Sequence, residues 1–157
     1  MLEKYIISFL ISMVPILEIR GGMVYAVAAG LPEIPALIVC MIGNMLPVPF
    51  IYFFARKVLV WGSKKKFLSK PFTFILEKGE KAGQALTKGG HKNGLFIALM
   101  LFVGIPLPGT GAWTGTLGAS LLDVGIKRNT VAVSIGVVMA GIIMTIATHV
   151  GLGILGL

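Results

Sequence analysis

Four apolar runs, at residues 5–17, 34–55, 94–108 and 130–157, carry almost no ionisable side chain. A water-soluble core of this size has no use for so much unbroken apolar surface. Only 13% of the 157 residues are charged and 56% are hydrophobic, whereas about a quarter of an ordinary soluble domain is charged. The mean hydropathy is +0.94. The chain therefore reads as a single all-α integral membrane domain over residues 1–157.

Length separates the runs into two kinds. A continuous helix needs about 20 residues to cross a hydrocarbon core of ~30 Å. Residues 34–55 meet this as a tilted span that Pro47 and Pro49 must kink. Residues 130–157 also meet it, with His149 as their one titratable side chain. The regions 5–31 and 94–122 do not, because Pro15, Glu18, Arg20, Gly21 and Gly22 cut the first, and Gly104, Pro106, Pro108, Gly109 and Gly111 cut the second. Each leaves two arms of about ten residues, or about 15 Å, which is half a bilayer. Each region is either one broken span or a re-entrant hairpin that dips to mid-depth and returns.

Charge decides between these. Ten of the fourteen Lys/Arg residues lie from Arg56 to Lys92, against the two acids Glu77 and Glu80. The cluster is mostly lysine, without the arginine–aromatic interleaving that stacks bases, so nucleic acid is not an expected partner. A basic block between apolar segments marks the cytoplasmic side of an inner-membrane protein. Two hairpins put this block and Lys127-Arg128 on one side, whereas a full crossing by the second region would send Lys127 and Arg128 outside. The linker Pro32-Glu33-Ile34-Pro35 carries no Lys or Arg, as an external loop should.

The expected architecture is an inverted repeat. It comprises a re-entrant hairpin (1–33), a transmembrane helix (34–55), a basic cytoplasmic loop (56–93), a second re-entrant hairpin (94–122) and a transmembrane helix (130–157). Within the loop, Ser69-Lys70-Pro71 opens a helix whose Phe72, Ile75, Leu76, Gly79, Ala82 and Leu86 keep helical spacing. That is an amphipathic helix on the anionic cytoplasmic leaflet, the alternative being a solvated charged linker. Residues 123–129 should also be cytoplasmic. Lys4, the apolar stretch to Leu17 and Ala26-Val27-Ala28 imitate a cleavable signal, but Glu18 and Arg20 interrupt it.

Glu18 and Arg20 are the most informative pair. A charge at mid-membrane costs several kcal/mol, with estimates from ~2.5 to over ~10. Two positions apart, they would face different ways on a helix, so they are expected in the unwound break beside Gly21-Gly22, projecting into a shared polar cavity. A substrate or proton site, a purely structural ion pair and a shallower, interfacial placement are the three readings. The second break runs Gly104-Ile105-Pro106-Leu107-Pro108-Gly109-Thr110-Gly111-Ala112-Trp113-Thr114-Gly115. Its prolines stop the incoming arm, its glycines allow reversal, and Thr110 is a candidate N-cap for the outgoing arm. Exposed amides at such a half-helix start make an anion site at mid-depth; a structural turn is the alternative.

Asn44 should reach a broken hairpin or a partner helix, since its amide cannot face lipid cheaply. His149 is either a packing residue or a proton relay. Ala132, Gly136 and Ala140 form a small-residue face for packing within the chain or between copies. Cys40 is the single cysteine, which excludes a disulfide framework and thiolate zinc clusters, and it sits in an apolar run as a small buried side chain would. Signatures of hydrolases, metalloenzymes and nucleotide-binding enzymes are absent, so neither an enzyme nor a cofactor is expected.

Three stretches together, Pro15-Ile16-Leu17-Glu18-Ile19-Arg20-Gly21-Gly22, Gly43-Asn44-Met45-Leu46-Pro47-Val48-Pro49-Phe50 and Gly104 to Gly115, resemble the small multi-drug export protein family. That family is similar to the DedA/VTT membrane proteins, and the resemblance implies two inverted re-entrant hairpins, each followed by a transmembrane helix. It also implies movement of lipids or amphiphiles, including polyprenyl phosphates, with proton coupling. The DedA-like pattern puts acids in the first hairpin and arginines in the second. Glu18 matches the first feature, whereas here the arginine is Arg20, in the first hairpin.

The functional expectation is a small proton-coupled transporter or amphiphile translocase of the plasma membrane of a prokaryote. Its site would comprise Glu18, Arg20, Gly21, Gly22, Asn44, Pro106, Pro108, Gly109, Thr110, Gly111 and Trp113. Its expected partners are membrane lipid, protons, an anionic or amphiphilic substrate and a second copy of the chain. The alternative is a non-transporting membrane assembly or scaffold protein.

Overall fold

A computed structural model describes residues 1–64, 73 and 92–155, and every regular element among them is a helix. The amphipathic helix expected after Ser69 lies outside the described residues.

The first four helices are α1 (Leu2–Met13), α2 (Glu18–Ala28), α3 (Glu33–Met45) and α4 (Val48–Ser63). Helix α1 stops because Val14 precedes Pro15, whose ring disfavours the helical conformation of its neighbour; Val14 is extended, at φ −73°, ψ 131°. Helix α2 ends in a left-handed Gly30 (φ +71°), with Leu31 N donating to Ala26 O and Gly30 N to Val27 O. This pairing satisfies the last carbonyls of the helix. The break between α3 and α4 falls at Leu46-Pro47, where proline has no N–H to continue the ladder.

Three more helices complete the chain: α5 (Lys92–Gly104), α6 (Ala112–Leu121) and α7 (Ile126–Leu155). Helix α6 ends as α2 does, with Val124 N donating to Ala119 O across Asp123 at φ +50°. Two stretches, Glu33–Ala55 and Ile126–Gly151, are long and apolar enough to cross a membrane, at mean hydropathies of 2.0 and 2.3.

Helices α1 and α2 lie antiparallel: Lys4 Nζ donates to Ala29 O at 2.7 Å, and a Cβ at Gly22 would collide with Ser12 Oγ. Helices α5 and α6 do the same, with Gly115 against Val103 and Leu99. Helix α7 packs against both pairs. Gly104 lies against Met139 and Gly136, while Gly141 lies against Leu37 and Ile19. The breaks of both hairpins therefore sit at the level of the middle of α7.

The two ends of the molecule differ. Tyr52 of α4 accepts from Ser120 through its carbonyl at 2.7 Å and from Gly125 N through its hydroxyl at 3.1 Å. Leu95 lines a shared cavity with Leu122 and Val124. The basic end of α4, the start of α5 and Lys127-Arg128 thus gather at one end. At the other, His149 Nε2 lies 2.6 Å from Glu33 Oε1, and both side chains are about half exposed.

The small-residue stripe is used within the chain. Ala132 and Ala140 are fully buried, and a Cβ at Gly136 would fall 2.7 Å from the carbonyl oxygen of Met100 and from Val103 Cβ. Packing within the chain, one of the two uses expected, thus covers this stripe. Gly136→Ala should lower the thermal unfolding midpoint in detergent by several degrees, as overpacking of about 1–3 kcal/mol predicts. An unchanged midpoint would refute the close α5–α7 contact.

Candidate functional site

The loop between α1 and α2 is short and strained. Ile16 has φ +79° and Glu18 has φ +50°, a region that a β-branched side chain such as that of Ile16 rarely adopts. The turn brings Glu18, only 4% exposed, onto the other hairpin. Its Oε2 accepts from Ala112 N at 3.1 Å and its Oε1 from Trp113 N at 3.0 Å. These are the first two amides of α6, whose own N-cap, Gly111, provides no side-chain bond. The first hairpin thus caps a helix of the second with a carboxylate, where the helix dipole favours negative charge.

Arg20 takes the complementary end. Its guanidinium donates to the Leu107 carbonyl at 2.5 Å and to Thr110 Oγ1 at 2.7 Å, with a longer contact of 3.5 Å to Ile105 O. These carbonyls follow the C-terminus of α5, the negative end of its dipole. One side chain grips the start of α6 and the other the end of α5, so the two breaks are interlocked. Gly111 makes this possible: it has φ +141°, and a Cβ there would strike the Glu18 carboxylate.

Several expectations change on this geometry. Glu18 and Arg20 do not project into a shared open cavity: both carboxylate oxygens and both terminal guanidinium nitrogens bind the opposing hairpin, and Arg20 Nε alone is buried without a partner. They begin α2 instead of lying in an unwound stretch, and the break is residues 14–17. Gly21 and Gly22 lie inside α2, where their lack of a Cβ lets α1 approach through Ile11, Ser8 and Ser12. Thr110 is not the N-cap of α6. Its hydroxyl faces back to the carbonyls of Leu107 and Ile105, at 2.8 and 3.0 Å, and accepts from Arg20. Pro106, Pro108 and Gly109 shape the loop whose carbonyls Arg20 holds, with Gly109 at φ +81°.

Trp113 contributes its backbone N–H, and its indole Nε1 is buried without a partner. Asn44 is fully buried, and neither amide atom has a partner. Cys40 is buried, as its sequence context implied. Sequence reasoning missed a second set of fully buried polar residues: Ser8 and Ser12 on α1, Thr116 on α6 and Asn129 on α7. Serines at positions 8 and 12, and Thr116 with Ser120, recur at the four-residue spacing of one helix face, which was the available signal.

Beside the junction lies an apolar groove of about 1120 Å³, between the end of α1, the α3–α4 break and α6. Met13, Pro15, Pro47, Phe50, Phe54 and Trp113 line it. Lys57 Nζ stands 5.5 Å from the centre of the ring of Phe54, one of the lining residues, within cation–π range. No cluster of metal-ligating side chains occurs among the described residues.

The model of a family described as "Putative small multi-drug export protein" matches residues 18–143. No curated protein and no solved structure matches the chain.

Proposed function

The chain belongs to the small multi-drug export protein family, and we propose that it is a membrane transporter whose moving part is the junction between its two hairpins. The observation that carries this reading is the cross-hairpin cap: both oxygens of one buried carboxylate accept from the first amides of α6. Protonating Glu18 removes its charge and turns one acceptor oxygen into a hydroxyl, which cannot accept from a facing N–H through its proton. One α6 amide then loses its acceptor and the other keeps only a neutral one, so the α6 start can receive another anion and the hairpins can part. The Glu18 carboxylate and an anionic substrate thus compete for one set of donors, so a bound proton favours the anion, which is a coupling mechanism.

In this reading the hairpins are re-entrant and the halves form an inverted repeat. The supporting geometry is the level of both breaks against the middle of α7 and the matched ends of α2 and α6. Interrupted segments in corresponding positions of two halves are a pointer to a transporter site. The basic end is cytoplasmic, by the distribution of Lys and Arg. The substrate is an amphiphile with an anionic group: the apolar groove would take its tail, with Lys57 beside Phe54 of the lining and the α6 amides near the head.

The experiment is flux in proteoliposomes, with a panel of anionic and cationic amphiphiles and a pH-sensitive dye in the lumen. Wild type should move an anionic amphiphile together with a pH change, and Glu18→Gln should abolish both while remaining inserted. Glu18→Gln retaining coupled flux would overturn the proposal.

A further inference from the structure

We propose that the Glu18 carboxylate exchanges protons with one side only, through a buried polar file running from the junction to the basic end by way of Thr116 and Asn129. This rests on the reading of Glu18 as the proton carrier. The file starts at Ala112, whose N–H holds the carboxylate. Ala112, Thr116 and Ser120 recur every four residues on the buried face of α6, about 6 Å apart by helical rise. Asn129 of α7 stands beside this row, its Nδ2 3.5 Å from Thr116 Oγ1. The row then reaches Tyr52, whose carbonyl takes the Ser120 hydroxyl and whose own hydroxyl meets Gly125 N beside the Lys127-Arg128 end.

Unpaired atoms distinguish this half of the molecule. Asn129 is fully buried, yet its Oδ1 accepts no hydrogen bond. Asn44 is fully buried with both amide atoms unpaired. On α3 it precedes Met45, whose sulfur lies 3.8 Å from Ser134 Oγ. Since Ile19 lies against Gly141, Asn44 falls between the junction and Asn129 along α7. Buried polar atoms without protein partners are where internal water binds, and such a water needs two to four of them. One bridging water per step covers gaps of about 6 Å.

Among the described residues the remaining unpaired buried atoms, Arg20 Nε and Trp113 Nε1, belong to the junction itself, and none lies in the other half. Its buried hydroxyls, Ser8 and Ser12, donate to Lys4 O and Ser8 O at 2.9 and 2.8 Å. The α1–α2 seam is close enough that Gly22 admits no Cβ. The charged neighbours are also distinct. Arg20 shares the junction with Glu18, while Tyr52, Asp123, Lys127 and Arg128 stand at the outlet. A proton entering there passes between water and hydroxyl oxygens and ends on a Glu18 oxygen as the neutral acid.

The test needs no transported substrate. The chain has two tryptophans, so Trp61→Phe leaves Trp113, whose backbone N–H binds Glu18, as the reporter. The single-tryptophan protein is reconstituted in one orientation, and its emission is followed after a pH jump on one face at a time. The response should be at least roughly tenfold faster from the Lys127-Arg128 face than from the Glu33 face. Asn129→Leu should slow it roughly tenfold, a barrier rise of about 1.4 kcal/mol, at unchanged final amplitude. Asn129→Ser should retain most of the rate. Thr116→Val provides a second block should Asn129→Leu fail to fold. Equal rates from both faces, or an unaltered rate in a folded Asn129→Leu or Thr116→Val protein, would overturn the file. An emission change that persists in Glu18→Gln, or no change in the reporter protein, would instead remove Glu18 as the proton carrier and the file with it.

Discussion

Gly111→Ala is expected to part the two hairpins. A methyl at this position would occupy the space of the Glu18 carboxylate, and φ +141° is itself poorly open to alanine. The carboxylate would lose both amide donors while remaining buried. Breaking such an arrangement from one side costs about 3–5 kcal/mol, a large share of the stability of a small domain. The thermal unfolding midpoint in detergent should fall sharply. Gly109→Ala provides the control: Gly109 also has positive φ, at +81°, but nothing stands within 4 Å of an added Cβ. It should cost only about 1 kcal/mol. Equal losses from the two substitutions would mean that the Glu18 contact contributes nothing.

The second large effect concerns Glu18 and Arg20 together. Were they a simple ion pair, Glu18→Gln with Arg20→Gln would recover what either substitution lost. The structure gives each its own partners, the amides of Ala112 and Trp113 for one and the carbonyls of Ile105 and Leu107 for the other. The double variant should therefore lose close to the sum of the single losses. Charged hydrogen bonds of this kind are worth roughly 1.5–3 kcal/mol each. Glutamine at position 18 would still accept from one amide but would aim its NH₂ at the other, so it imitates the protonated acid. A thermodynamic cycle on unfolding midpoints, measured beside flux, separates the cases: recovery of stability and flux in the double variant would end the interlock model.

The long apolar stretches were legible because crossing a membrane needs length and hydropathy, both printed in the sequence. Pro15, Pro47, Pro106 and Pro108 located the breaks, since proline blocks a helix whatever surrounds it. The partners of Glu18 and Arg20 were not legible. Local pattern places the two residues in one break, but the groups they bind lie 85 to 95 residues further along. Thr110 misled for a related reason. Its type and position suit an N-cap, but a better acceptor arrives from another hairpin and leaves the hydroxyl to Arg20. The glycines at 21 and 22 show that a Gly-Gly pair can serve helix contact as well as reversal, and sequence alone does not separate these uses. Ala132, Gly136 and Ala140 were likewise readable as a packing face but not as to which helix covers it.

The interlock also has a consequence in time. Glu18 is made 94 residues before Ala112, which at about 5–20 residues per second is a delay of roughly 5–20 s. Throughout that interval the first hairpin holds a carboxylate and a guanidinium with no carbonyls or amides to receive them. Neither can rest in hydrocarbon at that stage, so the N-terminal half is expected to wait at the membrane surface or against the insertion machinery. It would sink to its final depth only when the second hairpin emerges. A chain stalled after α4 should accordingly leave position 18 open to water-soluble labelling, and the finished protein should close it.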